Sequence, residues 1–175
     1  MCKWTTLAAL LIAVLPLVAQ QGGTGTLKTK VDPGRAGVFI NGKYVGPAAN
    51  FRFARKYSLP AGEHEVTLSE PRYEDVTTKV TITAGQTTVL RQTMKALPRP
   101  QPPYGRLFTK GGDHFSAVFL NGKFMGHVDE FDNCCEALLV NPGEYAVKIV
   151  SPSGDTVDEQ KVTITAGQET LVRVK

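Results

Sequence analysis

The segment Lys79-Val-Thr-Ile-Thr-Ala-Gly-Gln-Thr-Thr-Val-Leu-Arg91 returns near the end of the chain as Lys161-Val-Thr-Ile-Thr-Ala-Gly-Gln-Glu-Thr-Leu-Val-Arg173. A second pair, Val38-Phe-Ile-Asn-Gly-Lys-Tyr-Val-Gly46 and Val118-Phe-Leu-Asn-Gly-Lys-Phe-Met-Gly126, matches at an offset of 80, while the first matches at 82. The copies therefore differ by two inserted residues. A period near 80 is too long for a solenoid unit and suits a small domain, so the chain reads as two tandem domains. Their bounds are 26–95 and 105–175, with a Pro-rich linker at 96–104 between them. Four prolines in Pro98-Arg-Pro-Gln-Pro-Pro103 make that linker a semi-rigid extended spacer.

Residues 1–19 place Lys3 ahead of an apolar run from Leu7 to Ala19, and a Gly-rich segment follows at 20–25. The run is short for a membrane span, which needs ~20 residues, and it reads as a secretory signal cleaved after Ala19 or Gln20. The mature chain is then exported, periplasmic or at the cell surface, with no transmembrane helix. Its only cysteines, Cys134 and Cys135, are adjacent and cannot staple a domain as spaced cysteines would. Folding must come from apolar burial, and at roughly 70 residues each copy buries only ~60% of its unfolded surface. Docking of one copy on the other would add stability.

The chain dominated by strands is all-β. Val76-Thr-Thr-Lys-Val-Thr-Ile82 and Val157-Asp-Glu-Gln-Lys-Val-Thr-Ile164 set apolar residues mostly at even spacing. Ala84-Gly85 and Ala166-Gly167 break these runs before another Val/Leu/Thr-rich segment, a hairpin pattern in both copies. Asn41-Gly42 and Asn121-Gly122 fit type I′ turns, which need positive φ at both centres. Those turns set the pairs Ile40/Lys43, Phe39/Tyr44 and Val38/Val45, and in the second copy Leu120/Lys123, Phe119/Phe124 and Val118/Met125. Val38, Ile40, Val118 and Leu120 then face the core, with the aromatic pairs on the other side. Turns at Leu59-Pro-Ala-Gly-Glu63 and Asn141-Pro-Gly-Glu144 complete six or seven short strands per copy. The expected architecture is two small antiparallel β-sandwiches, transthyretin-like or immunoglobulin-like.

Val31-Asp-Pro-Gly-Arg-Ala-Gly-Val-Phe-Ile-Asn-Gly-Lys-Tyr-Val-Gly46, Leu59-Pro-Ala-Gly-Glu-His-Glu-Val66, Arg72-Tyr-Glu-Asp-Val76 and the closing strand together resemble the PEGA domain family. Pro33-Gly34-Arg35-Ala36 stands where that family carries Pro-Glu-Gly-Ala. The resemblance covers most of residues 27–95 and, through the internal match, 106–175. It implies a small β-sandwich used as a non-catalytic accessory module in cell-envelope proteins. The second copy is divergent, with Gly111-Gly-Asp-His-Phe-Ser116 in place of the signature stretch, and neither copy has the Thr-Pro that often follows the hairpin in the family.

No catalytic constellation emerges. His64, His114 and His127 occupy unrelated places in the two copies, with no nucleophile or carboxylate in a repeated relation to them. The Tyr-Arg-Gly-Ser ending of transthyretin-like hydrolases is absent. The expectation is a protein that is not an enzyme and has no cofactor. Asp129-Glu130-Phe-Asp132-Asn-Cys-Cys-Glu136 gathers four carboxylates but lacks the spacing and Gly of a calcium loop, so it reads as a solvated acidic loop without metal. Cys134 and Cys135 are open to three readings: a strained vicinal disulfide, an intermolecular bridge, or two thiols on opposite faces of a strand.

Binding candidates are the pairs Phe39/Tyr44 and Phe119/Phe124, either stacking on a sugar or partner, or covered by a neighbouring strand or domain. Charge supplies the others. The first copy has eleven Lys/Arg against six Asp/Glu, +5, and the second seven against ten, −3. The difference concentrates where Phe51-Arg-Phe-Ala-Arg-Lys56 aligns with Phe131-Asp-Asn-Cys-Cys-Glu136, which makes Arg52, Arg55 and Lys56 binding candidates in the first copy and Asp132, with Asp129 and Glu130 just before it, candidates in the second. Nucleic acid is set aside because the chain is exported. The favoured partner is a cell-envelope protein or polysaccharide, or the basic edge of one copy meeting the acidic edge of the other, within a chain or between chains. The functional expectation is an exported structural or protein-interaction module of the cell envelope. The alternative is a carbohydrate-binding module using the aromatic pairs.

Overall fold

A computed structural model describes residues 22–52, 56–98, 101–133 and 136–175. The signal segment, Arg55, Cys134 and Cys135 lie outside the described residues, and so does the central part of the linker.

The first copy contains β1 (Thr24–Asp32), β2 (Gly37–Ile40), β3 (Lys43–Pro47), β4 (Tyr57–Pro60), β5 (Gly62–Ser69), β6 (Val76–Ile82) and β7 (Thr87–Thr93). The second repeats them as β8 (Gly105–Lys110), β9 (Ala117–Leu120), β10 (Lys123–His127), β11 (Leu138–Val140), β12 (Gly143–Val150), β13 (Thr156–Ile164) and β14 (Glu169–Arg173). Each copy is a sandwich of a four-stranded sheet, in the order β3-β2-β5-β6 or β10-β9-β12-β13, and a three-stranded sheet, β4-β1-β7 or β11-β8-β14. The all-β tandem architecture expected from the repeat is the one found.

Two expectations need correction. Ala84-Gly85 and Ala166-Gly167 do not close hairpins: β6 and β7 belong to different sheets, and β7 pairs in parallel with β1, as β14 does with β8. The short turn carries the chain across the sandwich from one layer to the other, so the three-stranded sheets are mixed rather than wholly antiparallel. The third hairpin pair also shifts. Val38 lies opposite Gly46 and Val118 opposite Gly126, because a β-bulge follows the pairs Phe39/Tyr44 and Phe119/Phe124. The extra residue, Val45 or Met125, drops toward the core.

The Asn-Gly turns form as expected, with φ of 51° and 79° at Asn41 and Gly42 and 49° and 80° at Asn121 and Gly122. Each Asn has a second task. The Asn41 carboxamide oxygen accepts the Glu65 N–H at 3.0 Å, and that of Asn121 accepts the Ala146 N–H at 2.8 Å, so each turn is pinned to the next strand. A 3-10 turn follows each hairpin, Ala48–Phe51 and Val128–Phe131. The buried hydroxyls of Thr29 and Thr109 donate to the Ala48 and Val128 carbonyls at 2.5 and 2.7 Å, and they hold the turn across the three-stranded sheet. Phe51 and Phe131 plug the respective cores.

Within each sandwich, inward side chains of both sheets meet. Leu27, Val38, Ile40, Val66, Leu68 and Ile82 anchor the first core, and Leu107, Val118, Leu120, Val147, Ile149 and Ile164 the second. The alternation along β1 leaves Lys28 and Lys30 on the outer face of its sheet while Leu27 and Thr29 point inward. The outer faces of the four sheets are therefore where the two copies can meet each other or anything else.

Candidate binding grooves and the interdomain contact

One pair of outer faces is occupied by the molecule itself. Phe39 and Tyr44 on the outer face of the β2–β3 hairpin pack against Phe119 and Phe124 on the equivalent hairpin, with Ala117 and Val150 completing the cluster. Equivalent rings meet each other, Phe39 with Phe119 at 6.1 Å and Tyr44 with Phe124 at 6.0 Å between centroids. This is the pattern of an isologous contact, in which one patch is used twice. Phe39 and Phe124 also meet edge to face at 5.7 Å, a geometry worth ~0.5–1.5 kcal/mol beyond area burial.

The contact is not fully symmetric. The Tyr44 hydroxyl donates to the Phe115 carbonyl of the other copy at 2.7 Å, a bond that Phe124 cannot reciprocate. In return the Phe124 ring lies over Gly37, where a Cβ would sit 2.7 Å from the ring tip. The Lys43 stem covers Gly154 in the same manner.

These positions correct the expectation of an open aromatic platform. Tyr44 and Phe124 are 3% and 4% exposed, and Phe39 and Phe119 are half-buried against them, so the neighbouring copy covers both pairs. Asp129 and Glu130 also belong to this region rather than to an open acidic edge. Glu130 accepts both the His127 backbone N–H at 3.2 Å and the His127 Nδ1 proton at 2.7 Å. His127 itself is buried beside Tyr44 and Phe124, and its Nε2 has no hydrogen-bond partner among the described residues. Burial pushes the Tyr44 phenol well above its ordinary value, and the carboxylates of Asp129, Glu130 and Asp113 push it the same way. Burial likewise raises the Asp129 carboxyl, against the opposing pull of His127.

The other outer faces, those of the three-stranded sheets, are open. In the first copy a cavity of about 370 Å³ is lined by Lys30, Val31, Asp32, Arg52, Arg91, Gln92 and Thr93. In the second, one of about 450 Å³ is lined by Phe108, Thr109, Lys110, Asp132, Asn133, Glu169 and Leu171. The two overlap at equivalent positions, Lys30 with Lys110 and Arg52 with Asp132. Their chemistry differs. Strand register places Lys28 beside Val89 and Lys30 beside Arg91 in the first copy. The second puts Phe108 beside Leu171, with Leu139 and the Arg106–Glu169 ion pair next along the same face. Leu139 and Leu171 are 41% and 48% exposed.

Arg52 and Asp132, aligned by the repeat, thus do mark equivalent sites. They line separate grooves on the sheet faces away from the aromatic contact, so Arg52 and Asp132 do not lie against each other within this chain. Lys56 is exposed just before β4, which pairs with β1. Sequence reading passed over Lys30, Arg91, Phe108, Leu139 and Leu171. Comparing the two copies strand by strand, rather than only where charge reverses, would have paired Lys28 with Phe108 and Val89 with Leu171.

The histidines do not converge. His64 donates its Nε2 proton to the Pro60 carbonyl at 2.8 Å, and its Nδ1 then accepts from the Asn41 amide at 3.1 Å. Among the described residues no three His, Cys, Asp or Glu side chains gather as a metal would require, and no helix is long and apolar enough to cross a membrane.

A buried carboxylate also separates the copies. Glu70, 2% exposed, receives Arg35 Nε at 2.8 Å, Arg72 Nη2 at 3.0 Å and the Arg72 backbone N–H at 2.7 Å. It ties the Pro33-Gly34-Arg35-Ala36 stretch to the end of β5. The PEGA domain family matches residues 24–97. Residues 24–97 form a PEGA domain. In the second copy Phe115 and Ser151 stand where this PEGA domain has Arg35 and Glu70, and the ion cluster is gone while the strand order is kept.

Two solved structures are similar to the chain. The Bacillus anthracis TIE protein aligns at 14% identity and a TM-score of 0.26, over 87% of this chain and 33% of its own. SGBP-B of the Bacteroides ovatus mixed-linkage glucan utilization locus, in complex with a mixed-linkage heptasaccharide, aligns at 13% and 0.21, over 91% and 46%. The chain spans less than half the length of either. No curated protein sequence matches it.

Proposed function

We propose that this protein is an exported, non-enzymatic binding module of the bacterial cell envelope, made of a PEGA domain and a divergent second copy of it. The observation that carries the reading is the division of labour among outer faces. One pair is spent on holding the copies together through Phe39, Tyr44, Phe119 and Phe124, and the other pair is left as open grooves. A docked pair of sandwiches with two unlike grooves suits a connector between envelope components better than a catalyst. The fixed roles of His64 and His127 in hydrogen bonds within the fold support the same reading. Carbohydrate binding by the aromatic pairs loses its support, because those rings are covered.

The test is co-sedimentation of the mature chain with isolated cell-wall and outer-membrane fractions at low and high salt. Retention with one fraction, weakened by substitutions in the grooves but not by exposed changes on β13, is the expected result. Recovery of all the protein in the supernatant under both conditions would sink the proposal.

A further inference from the structure

The groove of the first copy has a composition that narrows its ligand. Lys28 and Lys30 alternate along the outer face of β1, Arg91 stands beside Lys30 on β7, and Arg52 closes the end. Asp32 is the single carboxylate lining the cavity. Among the described residues Lys28, Lys30 and Arg91 make no ion pair, whereas Lys79, Lys95, Arg35, Arg72 and Arg106 each hold a carboxylate. Lys28, Lys30 and Arg91 repel one another at this spacing, and an anionic ligand would relieve that repulsion.

Beside the cations the face carries hydroxyls and an amide, with Val31 and Val89 as its apolar residues. Thr93 and Gln92 line the cavity, and Thr26 and Thr87 pair further along the same strands. A lipid surface calls for a projecting apolar tip, whereas this cavity is lined mainly by charged and polar side chains. An acidic peptide needs pockets for side chains, whereas a sheet floor of cations and hydroxyls offers repeated polar contacts along its length. Successive outward residues on a strand lie roughly 6.6 Å apart and neighbouring strands about 4.8 Å, so the cations form a short row suited to a chain with regularly spaced charges.

We propose that this groove binds an acidic polysaccharide, a chain whose sugars carry carboxylates, with Lys30, Arg52 and Arg91 taking the carboxylates and Thr93 and Gln92 the hydroxyls. The inference rests on the envelope-binding reading above and gives it a ligand class. The equivalent groove of the second copy keeps Lys110 and Arg173 in register but has Phe108 and Asp132 in place of Lys28 and Arg52, so it loses two cations and gains a carboxylate.

The experiment titrates the mature chain with polygalacturonate by calorimetry, with dextran, poly-glutamate and anionic phospholipid vesicles as parallel probes. Polygalacturonate should bind, dextran should not, and binding should weaken steeply with salt. The exposed double change K30E/R91E should reduce affinity by at least about tenfold, the milder K30Q/R91Q by less, and F108K/D132R should add a second site. Sedimentation at low salt accompanies the titration. Polygalacturonate bound no better than dextran overturns the proposal. So does tighter binding of poly-glutamate or vesicles, or self-association that K30E/R91E abolishes. If polygalacturonate fails while envelope fractions still retain the protein, the ligand class falls and the envelope reading stands.

Discussion

The two sandwiches share strand order, register and turns, yet they spend their variable positions differently. The first carries its charge outward on β1 and β7 and buries one carboxylate between two arginines. The second has lost the buried ion cluster, with Phe115 and Ser151 in place of Arg35 and Glu70, and has thinned the outward positive charge, with Phe108 and Asp132 in place of Lys28 and Arg52 while Lys110 and Arg173 remain. What they keep in common falls into two groups. One is the set of residues that make the fold, Asn-Gly and the buried Thr29 and Thr109; the other is the aromatic pairs, which make the copies fit each other. A duplicated domain can diverge at its free faces only as long as its shared face is kept.

The largest effect should come from breaking that shared face. Phe124→Ala is expected to lower stability by ~3 kcal/mol, in the range for truncating a buried Phe. It should also separate the unfolding of the two copies, seen as two transitions in urea and a larger radius of gyration in solution scattering. A single unshifted transition would mean that the Phe124 contact contributes nothing to holding the copies together.

A second comparison concerns the glycine after each bulge. Gly46 and Gly126 both have positive φ, 127° and 131°, but a Cβ at Gly126 would lie 2.7 Å from the Phe131 ring against 3.5 Å from Phe51 at Gly46. Gly126→Ala should therefore cost about 2–3 kcal/mol, combining backbone strain and overpacking, and Gly46→Ala nearer ~1 kcal/mol. Chemical denaturation of the two variants checks the order.

Glu70→Ala removes the acceptor of Arg35, Arg72 and a backbone N–H, and it should destabilise by ~2 kcal/mol. That figure is discounted because the arginines are half exposed to solvent. Ser151→Ala at the equivalent place in the second copy should cost less than ~0.5 kcal/mol. Equal losses would remove the contrast between the copies.

The smallest effect belongs to Tyr44→Phe, which deletes the bond to the Phe115 carbonyl for ~1 kcal/mol and makes the hairpins alike. It also carries a pH signature. The folded phenol is held protonated above its ordinary value of 10.0, so the unfolded chain releases this proton first. The stability it confers is fully present below that value and is lost as pH rises from there toward the folded value. The stability of wild type should fall more steeply than that of Tyr44→Phe above pH ~10, as measured by denaturation across that range.

Much of this was legible in the chain. Asn41-Gly42 dictates its turn because few residues accept two successive positive φ values, and the alternation around it shows that Phe39 and Tyr44 share a face. Alternation does not say what covers that face. Ala84-Gly85 shows the same limit: a tight turn between two β-rich segments looks alike whether it closes a hairpin or carries the chain to the other sheet. The grooves were half visible. Arg52 against Asp132 stood out because charge reverses within one segment, whereas Lys30 and Arg91 come together only through the parallel pairing of β1 with β7, about sixty residues apart in the chain.

By itself the sequence determined that the protein is built twice on one plan, of strands closed by Asn-Gly turns. Turn geometry and strand alternation are local, and two copies of a local pattern specify two copies of a unit. Only the tertiary structure decided which outer faces are used up. The mutual burial of Phe39, Tyr44, Phe119 and Phe124 depends on how two finished sandwiches meet. Burial of that kind is set by shape and apolar area across the molecule, and no single segment contains it.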